Sequence, residues 1–181
     1  MISPELGQFF DAAFLYCKRW FSQEVSIVEN RHFADITAER FLSEYVYVVL
    51  NSGMKNAVAE KVFQHFMAKM DVTVINHLGK RRAVEQALAN YRTWFRNLKE
   101  LDNKLAYLEL LPWIGPITKY HLARNLGLDY AKPDRHMIRL AQKHGFSSDV
   151  TRMCQELADL KGLRVGTVDV ILWRYIACGC P

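Results

Sequence analysis

The sequence predicts an all-α fold, a compact helical bundle, on three observations. Apolar residues recur at three-four spacing along most of the chain. Clean two-residue alternation is scarce, so few segments read as half-buried strands. The breaks between periodic stretches are short, which suits a bundle with tight connections.

The elements follow in order. Phe9, Phe10, Ala13, Phe14, Cys17 and Trp20 set the apolar face of a first helix over about 4–22. A loop-like stretch is expected over 26–35. Thr37 reads as the N-cap of a helix from Ala38 to about Asn51. Within it, residues 45–50 also have strand propensity, but no partner strand is evident. Asn51-Ser52-Gly53 breaks the chain. A helix over about 56–70 carries Val58, Val62, Phe63, Phe66 and Met70. Residues 71–76 are a weaker strand candidate. Leu88, Tyr91, Trp94 and Phe95 mark a helix over about 82–98. Further helices are expected at 104–111, 117–126, 135–143, 149–160 and 165–177. Pro112, Gly127 and Gly145 serve as stops.

The chain has 181 residues, enough for one domain or for two small lobes sharing a core. Half of them are hydrophobic, which excludes disorder as the main state. No apolar run approaches the eighteen or so residues that span a bilayer. The first residues lack a basic stretch followed by an apolar one, so a cytoplasmic protein without membrane contact is expected. Cys17, Cys154, Cys178 and Cys180 lack the two close pairs of a zinc site and read as free thiols. No metal is expected from side chains.

The net charge of +5 is uneven. Residues 1–50 carry four Lys/Arg and seven Asp/Glu, residues 51–100 nine and four, and residues 101–181 eleven and eight. From Trp113 to His144 there are six basic residues against two acidic ones. Basic charge focused in this way suits a polyanion such as DNA, and equally a solvated basic surface.

The stretch Leu108–Leu140 carries the most information. It reads LELLPWIGPITKYHLARNLGLDYAKPDRHMIRL. Two short helices flank the tight turn Pro112-Trp113-Ile114-Gly115-Pro116. Pro116 stands at the start of the second helix, where a missing N–H costs little. The amides of Ile117, Thr118 and Lys119 are expected to point out of that helix start, which suits a phosphate. Lys119 adds charge beside it. Backbone donors hold a phosphate without reading base sequence.

Leu-Pro-x-Ile-Gly-Pro-x-Thr at 111–118 resembles the hairpin of the helix-hairpin-helix DNA glycosylase superfamily. Endonuclease III, 8-oxoguanine glycosylase and 3-methyladenine glycosylase II belong to it. Its members place an essential aspartate some twenty residues after the hairpin. Here Asp134 lies nineteen residues after Gly115, and Asp134-Arg135-His136-Met137-Ile138-Arg139 resembles the Asp-x-His-x-x-Arg of endonuclease III. The hairpin and the spaced aspartate form a strong signal together, and either alone is weak. The resemblance is firmest over about 105–145.

The resemblance implies a single domain over 1–181, with an active-site cleft between two helical lobes. One lobe is expected at about 1–35 plus 145–181, the other at about 36–144. Asp134 becomes the catalytic carboxylate, and an N-cap of the following helix as well. Trp113, Gly115, Ile117, Thr118, Lys119, Lys132, His136 and Arg139 become DNA contacts. Met54, with Lys55 and Asn56, becomes the wedge that enters the gap left by a flipped base, or Met54 packs under its turn. Tyr120, His121, Phe10 and Phe14 are candidates for the base pocket, though Phe residues at helical spacing are more often core.

Two departures stand out. Trp113 occupies a place usually held by Gly, so its side chain either sits against DNA or fills a gap in the core. Lyase members carry a Schiff-base lysine where this chain has Ile117, and Lys119 lies roughly 200° away around the helix. The expected function is therefore monofunctional hydrolysis of a base–sugar bond in double-stranded DNA, by a monomer. A non-catalytic DNA-binding module and a bifunctional glycosylase/lyase are the alternatives. No cofactor is expected beyond an alkali ion on the hairpin carbonyls. The excised base stays open among uracil, alkylated purines, oxidised guanine, mismatched thymine and modified bases of foreign DNA.

Overall fold

In the computed structural model, which describes residues 2–179, ten α-helices and two short 3-10 turns make up the regular structure. No strand occurs among the described residues. The helices are α1 (Pro4–Trp20), α2 (Ser22–Asn30), α3 (Ala38–Asn51), α4 (Asn56–Lys69), α5 (Leu78–Glu100), α6 (Lys104–Glu109), α7 (Thr118–Asn125), α8 (Arg135–Lys143), α9 (Val150–Lys161) and α10 (Val165–Ala177). They form two compact units, Met1–Phe33 with Gly127–Pro181, and Ala34–Leu126.

The second unit is built around α3. Phe41, Leu42, Tyr45, Val46, Val48, Val49 and Leu50 are all buried, and α4, α5 and α7 pack on this helix. A helix apolar on nearly every side belongs inside a bundle. Burial thus accounts for the strand-like run at 45–50. Thr37 caps α3 as expected, its hydroxyl accepting from Arg40 N at 3.1 Å. The second strand candidate, 71–76, is a 3-10 turn at Val72–Val74 with Asp71 capping Thr73 N. Helix α5 begins about four residues earlier than expected, because the His77 ring accepts from Lys80 N and caps it.

The first unit buries α10, where Val165 through Leu172 are all buried. Around it lie Leu6, Phe10, Ala13 and Cys17 of α1, Met137, Leu140 and Ala141 of α8, and Met153, Cys154 and Leu157 of α9. Residues 127–144 therefore belong with the terminal segments. The sequence-based boundary, which put them in the central lobe, is corrected by this core. The expected loop at 26–35 is also corrected, since α2 runs to Asn30 and a 3-10 turn covers Phe33–Asp35. None of the residues of α2 is buried, so it left little apolar signature.

Gly127 shows why the chain can turn where it enters this unit. It has φ 77°, and a Cβ there would lie 2.8 Å from backbone atoms of Arg31, His32 and Phe33. Arg164 closes the same place, donating to the carbonyls of Val28, Arg31 and Gly127. Among the described residues no cysteine forms a disulfide: Cys17 and Cys154 are buried and Cys178 is exposed. Cys180 lies outside the described residues.

Candidate active site and nucleic-acid interface

Asp134 precedes α8 in extended conformation, with φ −82° and ψ 172°. Its Oδ1 accepts from His136 N at 2.9 Å and from Met137 N at 3.1 Å. The N-cap geometry is thus present in full. Both bonds converge on one oxygen, and Oδ2 accepts none among the described residues. The helix start supplies positive potential beside a half-buried carboxylate. Met137 is buried in the core, so α8 holds the carboxylate on a packed helix. His136 is half-buried, and Arg135 Nε lies 3.4 Å from its Nε2. Arg139 is exposed and Lys132 half-buried.

The hairpin belongs to the second unit. Thr118 Oγ1 accepts from Gly115 N at 2.7 Å and lies 3.3 Å from Gly115 O, which closes the turn. No side chain caps α7. Of the three amides expected to point outward, that of Lys119 is already bonded to Gly115 O at 3.0 Å. Ile117 is exposed, 42% of its surface being accessible. The Lys119 ammonium is 2.5 Å from Glu109 Oε2 and lies over the Tyr120 ring. The ammonium that the sequence offers to a phosphate is thus paired with Glu109.

Trp113 has φ 66°, a left-handed backbone rare for a bulky residue. The turn keeps the conformation for which glycine is ordinarily chosen. The carbonyls of Leu111, Pro112 and Gly115 accept from Ile114 N, Tyr45 Oη and Lys119 N. An alkali ion on the hairpin would have to share these oxygens. Among the described residues no group of three His, Cys, Asp or Glu could hold a metal.

The turn between α3 and α4 is a hydrogen-bonded unit. Asn56 Oδ1 accepts from Tyr47 Oη at 3.1 Å and from Asn51 Nδ2 at 2.9 Å. Asn56 is therefore tied into the turn. Met54 is half-buried and Lys55 exposed.

Of the base-pocket candidates, Phe10 takes the core alternative. It is 2% exposed and packs in the first unit's apolar core, with Phe14 against it. Helical spacing could not separate a stacking face from a core face. His121 stands instead beside Tyr47, ring centroids 6.1 Å apart. Tyr47 lines a recess of about 260 Å³ with Arg40, Ser43, Glu44, Glu60 and Phe63. Buried Glu44 is held there by Arg40 at 2.5 Å and Asn125 Nδ2 at 3.0 Å. The sequence reading missed Glu44, Tyr47 and Asn125. The one signal was Glu44, a carboxylate among the buried apolar positions of α3.

No protein-family model matches the chain, and no curated protein matches it. Solved structures do. An 8-oxoguanine DNA glycosylase of Thermotoga maritima superposes with a TM-score of 0.71 at 18% identity, over 95% of each chain. The 8-oxoguanine glycosylase/lyase of Methanocaldococcus jannaschii, in complex with DNA containing 8-oxoguanine, gives 0.68 at 14% identity, over 97% of this chain and 98% of that one. A second structure of the Methanocaldococcus jannaschii 8-oxoguanine DNA glycosylase gives 0.67 at 14% identity. This chain thus has the fold of these 8-oxoguanine DNA glycosylases along nearly its whole length.

Proposed function

We propose that the protein is a DNA glycosylase that hydrolyses the bond between a flipped base and its deoxyribose, leaving the sugar–phosphate chain intact. The observation that carries this reading is Asp134, a carboxylate fixed through one oxygen at the start of a packed helix, in a chain with the fold of known glycosylases.

A base within a duplex is out of reach, so the target nucleotide rotates out of the stack. As the glycosidic bond breaks, positive charge develops on the deoxyribose. Asp134 Oδ2 stabilises that charge and orients the water that adds to the anomeric carbon. The bonding electrons leave with the base, and the products are a free base and an abasic site. The hairpin, with its uncapped α7, holds a backbone phosphate and so fixes register. The partner is double-stranded DNA, bound by a monomer.

Two features favour hydrolysis without strand cleavage. Ile117 stands where lyase relatives place a Schiff-base lysine, and Lys119 is engaged by Glu109. The test is incubation with duplexes carrying 8-oxoguanine, uracil, alkylated purines, mismatched thymine and modified bases. Alkali-labile sites made by the wild type, without borohydride-trapped protein, are expected for one of them. A trapped adduct would instead establish a lyase. Duplex binding with no base released from any substrate would favour a non-catalytic binding module.

A further inference from the structure

We propose that Trp113 is a positioning residue that fastens the hairpin to the turn at 51–56, so that both engage DNA as one rigid element. The inference rests on the DNA-binding reading above and adds a coupling specific to this chain.

Six contacts converge on the two turns, all within the second unit. Trp113 Nε1 donates to Ser52 Oγ at 2.8 Å, and Ser52 Oγ in turn donates to Val49 O at 2.8 Å. Buried Lys80 donates to Leu50 O at 2.8 Å and to Ser52 O at 2.6 Å, and so holds the end of α3. Burial pulls its pKa below the ordinary lysine value. Tyr45, also on α3, donates to the hairpin carbonyl of Pro112 at 2.6 Å. The indole meets His77 edge-on, centroids 5.0 Å apart.

Gly79 shows that the fit is specific. A Cβ there would lie 2.5 Å from indole Cζ3, so any larger residue in the first turn of α5 would push the ring from this position. The left-handed backbone of Trp113 preserves the turn while its side chain reaches across to Ser52. Phosphate grip by one turn and entry into the base gap by the other then share one frame. Rigid presentation lowers the ordering cost of binding.

The test uses the full chain with Trp113→Phe, which keeps a ring but loses the indole N–H, with Ser52→Ala, and with the double variant. Two quantities are read. The first is backbone hydrogen exchange at 51–56 and at 112–118. The second is the affinity for a duplex containing a tetrahydrofuran abasic analogue relative to an intact duplex. Each single variant is expected to raise exchange in both turns and to lower the abasic preference about fivefold, the worth of one hydrogen bond. The double variant is expected to lose no more than either single one. For Ser52→Ala the slope of log affinity against log salt on the intact duplex is expected to stay as in wild type, since no phosphate contact is removed.

Exchange that rises only in the substituted turn would overturn the fastening, as would losses that add. Unchanged abasic preference with coupled exchange would overturn its use on DNA. A wild type with no abasic preference would count against the glycosylase reading, while exchange still judges the fastening.

Discussion

Two helix starts carry the candidate chemistry, and they are built in opposite ways. Helix α8 starts on a side-chain cap, Asp134, and rests on the apolar core of its unit through Met137, Leu140 and Ala141. Helix α7 starts without a side-chain cap, from a turn that Thr118 closes onto Gly115. The first fixes a charged group to a small tolerance. The second leaves oriented backbone donors for a ligand. A carboxylate that must act on one bond needs the former, and a phosphate grip that reads no sequence needs only the latter.

The comparison can be broken from either side. Met137→Ala removes the buried anchor of α8 and is expected to destabilise the protein by about 2–5 kcal/mol, measured by denaturant unfolding. A smaller loss would mean that the helix start does not depend on its core contact. Asp134→Ala removes both capped amides' acceptor and is expected to cost about 1 kcal/mol of stability on top of any loss of activity. Thr118→Val leaves Gly115 N without its side-chain acceptor. An expected loss of about 1 kcal/mol, with weaker duplex binding, would place α7's precision in that single bond.

Glu109→Gln gives the smallest effect and sharpens the contrast most. It releases the Lys119 ammonium, so duplex affinity is expected to rise about twofold to threefold at low salt. The slope of log affinity against log salt should steepen by about one. An unchanged slope would show that Lys119 does not reach a phosphate.

Much of this was readable in the chain. Three-four spacing placed most helices, turn chemistry marked the hairpin, and the resemblance to a glycosylase motif singled out Asp134. What stayed hidden depended on partners distant in sequence. Phe10 and Phe14 have the pattern of a stacking face and of a core face alike, and only packing against α8, α9 and α10 decides between them. Helix α2 buries no residue and so lacks a stripe to detect. Lys80 reads as part of a basic run, 80–82, yet its ammonium caps the end of α3. Trp113 read as a departure at a glycine position, and its bond to Ser52 spans 61 residues.

The most direct test of the account is the single-turnover rate of base release by Asp134→Asn on the substrate that the wild type cleaves. Asparagine caps a helix about as well as aspartate, so α8 and the thermal midpoint should be kept. The account predicts a rate at least about a hundredfold lower, with duplex binding retained. Release at the wild-type rate would contradict it and leave Asp134 as a helix cap alone.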